Sequence, residues 1–257
     1  MDTKTLFLPA SLLMLAFLNF SCMSTGELYK GLTKKKGTLN YIHDSDIEAD
    51  KGTFKVGVAK PIVSDPKFIL PGSVRKVKAA VVPLIIFNSW NFEFEYRIGK
   101  ASIQEDIESF VRSALITESN RSGSFTADTI QSTERLTLEI EIDSIGAKGP
   151  YYAKGHFVFL GLMYFGQQME NTGPAVAYSR FFYRLRVGDK VLMEDYTSSS
   201  RPTQPLRQTH TSTKELRNFY NTNLVEALSQ TLKTNIEIIV EDVNIFLDME
   251  ADKLVEN

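Results

Sequence analysis

A single cysteine in 257 residues excludes an internal disulfide and a thiolate zinc cluster. Histidine is almost as scarce: His43, His156 and His210 show no metal-ligand spacing and read as surface residues. Neither sign of charge is in excess, with 29 basic against 31 acidic residues, so the electrostatic signature of a nucleic-acid binder is missing. No serine has a G-x-S-x-G context, and Gly161 and Gly166 lack the turn-to-helix setting of a phosphate loop. Glu93/Glu95 and Glu139/Glu141 sit two residues apart in alternating segments, so each pair shares one wet face and reads as solubilising charge rather than an acid–base pair. No catalytic residue, metal ligand or cofactor is therefore assigned, and the expectation is a protein that is not an enzyme.

What the chain does have begins at its N-terminus. Lys4 precedes an apolar run from Leu6 to Phe20, interrupted by Pro9, Ser11 and Asn19. It is short for a bilayer-spanning helix, which takes about 20 apolar residues, and suits the core of a secretory signal peptide. Leu18-Asn19-Phe20-Ser21-Cys22 then resembles a bacterial lipobox, with Asn19 at the position where leucine is usual. That resemblance implies loss of residues 1–21 and acylation of Cys22, palmitate included, which would attach the protein to a lipid bilayer. The competing readings are an ordinary signal peptide with an incidental thiol, or an uncleaved anchor. Met23-Ser24-Thr25-Gly26 puts no acidic residue beside the cysteine, which by resemblance to sorting rules places the anchor in the outer membrane, on its periplasmic face. Polar residues follow, with Lys34-Lys35-Lys36 among them, so residues 22–50 read as a flexible tether and 51–250 as one folded domain.

Within that domain the period of the apolar residues changes several times. "TFKVGVAK" (53–60) and "VKAAVVPLIIF" (77–87) read as strands, and "WNFEFEYRIG" alternates, with Trp90, Phe92, Phe94, Tyr96 and Ile98 on one face. Ser102-Ile103-Gln104-Glu105 has the form of a capping box and predicts a helix carrying Ile103, Ile107, Phe110, Val111, Ala114 and Leu115. "RLTLEIEIDSI" alternates again, "GHFVFLGLMYFGQQ" (155–168) is apolar on both faces, and "AVAYSRFFYRLRV" (175–187) reaches a hairpin signal at Gly188-Asp189. Either pairing of that hairpin leaves a charge on the apolar side, so its register stays open. A second capping box, Ser212 to Glu215, opens a last helix through Leu216, Leu224, Leu232 and Val243. The expectation is an α+β domain: an antiparallel β-sheet with two amphipathic helices packed on one face.

Residues 151–187 concentrate aromatic and branched side chains. They read as a hairpin, either a core covered by both helices or a surface that meets lipid or a partner. Tyr178, Arg180, Phe182, Arg184 and Arg186 share one face of its second strand, a mixture suited to a partner or a lipid headgroup. The lipobox followed by strand, capped helix, strand meander and closing helix resembles Gram-negative envelope lipoproteins of the ABC-type transport auxiliary and YajG-like kinds. That resemblance rests on element order over about residues 75–250 and carries over no site residue. It implies a non-catalytic, membrane-anchored periplasmic accessory of an envelope transport or assembly complex, with an envelope protein as partner. The other reading is a pore-forming or membrane-inserting lipoprotein, resembling curli-secretion channel lipoproteins, that oligomerises through the 151–187 hairpin.

Overall fold

The computed structural model describes residues 23–42, 54–70, 72–83, 87–122, 124–132, 134–160, 163–207 and 212–255. Cys22 and the lipobox, His43 and His210 lie outside them. A nine-stranded sheet forms the body. Its spine is β6 (Leu136–Leu160), 25 residues long. One flank of β6 carries β4 (Phe87–Ile98), itself paired with β3 (Gly72–Pro83), and the short β1 (Lys55–Val58) and β2 (Ile62–Val63). The strands β7 (Met163–Thr172) and β8 (Val176–Val187) follow each other along β6, and β9 (Lys190–Pro202) pairs with β8. β5 (Thr126–Asp128) lies beside β1.

The expected antiparallel sheet with two helices on one face is corrected. β1 runs parallel to both β5 and β6, and β2 runs parallel to β6, so the sheet is mixed. A parallel pair needs a long crossover, here everything from β2 to β5. A short apolar run such as Val56-Gly57-Val58 carries no record of strand direction, which is why its orientation was not legible. The helices are also unequal. One long C-terminal helix, α4 (Thr213–Val255), lies on β8 and β9, and α1 (Thr25–Thr33), α2 (Pro66–Ile69) and α3 (Ile107–Ser122) are smaller.

The N-terminal segment is more ordered than a tether. Ser24 and Glu27 form a capping box that starts α1, and Leu28 and Leu32 are fully buried. The chain continues inward at Leu39, whose amide donates to Glu105 at 2.8 Å. Residues 25–42 are thus packed on the domain, and 43–53 lie outside the described residues.

β6 shows how one strand serves two environments. Leu138, Ile140 and Ile142 point into the core, and then the pairing with β8 slips between Ile142 and Ser144. The bulge reverses the parity, so Ile145, Ala147, Tyr151 and Ala153 are the buried residues beyond it. α4 covers this core with Leu216, Tyr220, Leu224, Leu228, Leu232, Ile236 and Ile239, while Phe219 is 56% exposed. The Ser212–Glu215 capping box is present, Glu215 N donating to Ser212 Oγ at 3.3 Å and Ser212 N to Glu215 Oε2 at 2.9 Å. The Ser102 box is not. Ser102 sits in a single 3-10 turn, its hydroxyl 3.1 Å from the Tyr96 hydroxyl, and α3 starts after Asp106, whose carboxylate accepts from the Ser109 amide at 3.2 Å.

Candidate contact surface on a projecting ribbon

The outer halves of β3, β4, β6 and β7 leave the body together as a four-stranded antiparallel ribbon. Its rungs are fixed by register: Val82 opposite Ser89, Ser89 opposite His156 and His156 opposite Gln167. The expected 151–187 hairpin is therefore three pieces, the outer end of β6, all of β7 and then β8. The hairpin that forms is β6–β7, with Leu160 opposite Met163, and β3–β4 stands beside it.

At its base the ribbon is held by a buried ion pair. Arg217 of α4 donates twice to Glu170 of β7, Nε to Oε2 at 2.9 Å and Nη2 to Oε1 at 2.6 Å, with the Glu170 side chain wholly buried. Tyr151 donates to the same carboxylate, and Gln168 Nε2 does so at 2.6 Å. Burial and then the Glu170 charge push the Tyr151 phenol above its ordinary range. Burial acts to lower the Arg217 guanidinium, but the paired carboxylate outweighs it and raises it. Both effects keep Arg217 charged and Tyr151 a donor, so the cluster is a fixed strut.

Lys154, on the next rung outward with Ala80, Asn91 and Met169, is the last charge of the four strands. From Ala79 to Phe92 and from Gly155 to Met169 the sequence has no Asp, Glu, Lys or Arg. Val82, Phe87, Val158 and Phe165 share one face of the ribbon, and Val81, Trp90 and Phe157 the other. Val81 is 42%, Val82 54% and Phe165 59% exposed, so at this level neither face is covered. Trp90 leans across Gly155, where a Cβ would meet its ring at 2.1 Å; only glycine fits that rung. His156 stacks beside Phe87 with centroids 6.3 Å apart. The chain linking β3 to β4 is Leu84-Ile85-Ile86 and that linking β6 to β7 is Gly161-Leu162, both outside the described residues.

Tyr178, Arg180, Phe182, Arg184 and Arg186 do share the solvent face of β8, as the alternation required. The structure occupies their charges, however. Arg184 and Arg186 both meet Glu139, at 2.5 and 2.6 Å, and Arg180 approaches Asp143 at 3.6 Å while lying over the Tyr196 ring at 4.9 Å. Phe182 packs on Tyr196 with centroids 4.7 Å apart. Burial raises the Tyr178 phenol. The face is a cross-strand network between β6, β8 and β9 rather than a cradle of open guanidinium groups. Among the described residues no group of His, Cys, Asp or Glu is placed to hold a metal ion, and no helix is long and apolar enough to cross a membrane. Reading the sequence missed the ribbon because "VKAAVVPLIIF" and "GHFVFLGLMYFGQQ" each look like one strand. The apolar stretches that turn back on themselves were the available signal.

No protein-family model matches the chain, and no curated protein matches it significantly. Among solved structures it is similar to protein XCC0632 from Xanthomonas campestris, of family DUF330, at 11% identity and a TM-score of 0.48, covering 85% of this chain and 99% of that one. It is also similar to a neuraminyllactose-binding hemagglutinin homologue from Helicobacter pylori, at 6% identity and a TM-score of 0.33, covering 80% and 92%. Both scores are below the level from which a shared fold follows. Neither protein is described as a YajG-like lipoprotein.

Proposed function

We propose that this protein is a non-catalytic, lipid-anchored component of the bacterial envelope that places the outer end of its ribbon in the apolar layer of a membrane, as an accessory to an envelope transport or assembly complex. The observation that carries this reading is the uncharged ribbon end, which exposes apolar side chains on both faces, outside the core. Monomeric soluble proteins seldom expose such a contiguous surface without a use for it. About five residues per strand, at about 3.4 Å each, reach roughly 17 Å, about half of a ~30 Å hydrocarbon core. The ribbon is thus suited to entering one leaflet.

The lipobox supports the anchor. Cys22 precedes the helix cap Ser24 by two residues, so an acylated cysteine would hold the body at the bilayer surface with no long spacer. Two or more acyl chains, at about 0.8 kcal/mol per buried CH₂, make such attachment stable where a single chain is marginal.

Two variants of the full chain test the ribbon. Val82→Asp and Phe165→Asp change exposed side chains, so the far-ultraviolet circular dichroism and melting temperature should stay close to wild type. Flotation of the same variants made from Met23 onward, without the apolar leader or the acylated cysteine, with phosphatidylethanolamine/phosphatidylglycerol vesicles should fall at least tenfold relative to the unaltered chain from Met23. Unchanged flotation in folded variants would refute membrane entry by the ribbon.

A further inference from the structure

The ribbon has two open edges. Among the described residues β3 pairs with β4 alone, and β7 pairs with β6 alone outside the bridge from Asn171 to Arg207 near its base. The edges differ along their length. Near the base β3 carries Arg75, Lys76 and Lys78 and a bulge between the two lysines, devices that discourage a further strand. Farther out it reads Ala79-Ala80-Val81-Val82, and the facing part of β7 reads Met163 to Met169, neither with a charge or a proline. Such stretches pair readily with another strand. The reading as a membrane-entering ribbon sharpens the point, because unpaired N–H and C=O groups at a sheet edge are not tolerated in hydrocarbon. Four strands cannot close on themselves, since the smallest membrane barrels have about eight.

We propose that copies of this chain join through their ribbons, β7 of one beside β3 of the next, into a ring whose sheet has no free edge at the membrane. Strand direction fits this arrangement. β3 runs outward, β4 back, β6 outward and β7 back, so a second copy's β3 lies antiparallel to β7. Every added copy contributes four strands, and the total is even, as antiparallel closure requires. The contact is heterologous, a surface meeting a different surface, which generates rings when the rotation closes. A two-fold β3–β3 contact would be antiparallel as well, but it would aim the two ribbons in opposite directions, away from a common membrane. The occupant of each edge is thus a second copy of the chain, a deepening that rests on the membrane reading above.

The test uses the full chain with its leader, made in a bacterial host, extracted in detergent and reconstituted in phosphatidylethanolamine/phosphatidylglycerol vesicles. Ala80→Cys and Gln167→Cys place one thiol on each uncharged edge, and a short bis-maleimide linker tolerates the stagger between neighbouring strands. The double variant should yield a ladder extending beyond dimers, and each single variant should stay monomeric. Ala80→Lys should lower the oligomer mass measured by light scattering in detergent to that of one chain, with its circular dichroism unchanged. A double variant that never passes monomer overturns the ring, as does Ala80→Cys alone cross-linking efficiently to dimers. Flotation of the unacylated chain from Met23 onward judges the membrane reading separately: if that chain floats while the reconstituted chains do not cross-link, the ring is refuted and membrane entry stands, and if it does not float, membrane entry fails whatever the cross-links show.

Discussion

Arg217 and Glu170 are the residues on which the ribbon's attachment depends. A buried carboxylate stripped of its partner costs about 3–5 kcal/mol, whereas removing both charges is often close to neutral. Arg217→Met should therefore destabilise the protein by about that amount in urea denaturation, and Glu170→Gln/Arg217→Met should recover most of it. Equal losses in the single and double variants would show that packing, not the ion pair, holds the strut. Asp106 gives a pH-dependent counterpart. The Ser109 hydroxyl, with the Ser109 amide, holds its carboxyl below the ordinary aspartate range, outweighing partial burial. A depressed folded-state pKa adds stability above the unfolded value of about 3.9, and that stability is lost as pH falls through the lower folded value. Asp106→Ala should cost about 0.5–2 kcal/mol at neutral pH, as loss of an N-cap does. The gap from wild type should narrow as pH falls below about 4. A gap that stays constant down to acid unfolding would show that the charge plays no part.

At the scale of elements, local signals were read well where the local sequence decides the outcome. The Gly188-Asp189 turn forms, with Gly188 at φ +54° and Val187 opposite Lys190. Its register was ambiguous because the structure inserts a bulge: Leu185 faces Met193 but Arg186 faces Val191, leaving Leu192 as the extra residue. No periodic pattern announces such an insertion. The two capping boxes make the same point by contrast. Ser212→Ala should cost about 0.5–2 kcal/mol, read in chemical denaturation, because it leaves first-turn amides of α4 unpaired. Ser102→Ala should act elsewhere, by removing the hydroxyl that Tyr96 and the Gly99 amide share. Hydrogen exchange should then rise at the Lys100–Ser102 turn and not in the first turn of α3. Faster exchange in α3 would restore the capping role.

For the whole molecule, the anchor and the ribbon make joint demands. An intact protein from cell envelopes should show an acylated N-terminus at residue 22 by mass spectrometry, and Cys22→Ser should release it from the membrane fraction or leave it unprocessed. An unmodified chain beginning at Met23 or Ser24 would remove the anchor. Vesicle binding would then rest on the ribbon alone, which is the reason for measuring flotation on the unacylated form. The packing of α1 against the core makes this consequential, because the folded body follows the cysteine almost immediately.

Local causes suffice for the alternating face of β4, the capped start of α4, the glycine turn after β8 and the solvent face shared by Tyr178 through Arg186, and these are legible in the residues alone. The sequence also marked 79–92 and 155–169 as stretches without charge, since composition needs no fold. Which strands lie side by side, and in which direction, emerges from the assembled fold, because strand pairing is set by non-local packing and leaves no periodic trace. That pairing made the sheet mixed, moved the expected 22–50 tether partly into the core, and set two apolar hairpins beside each other beyond the reach of α4. Exposure is a property of the assembled sheet, so the same apolar residues that read as a covered core became its projecting edge.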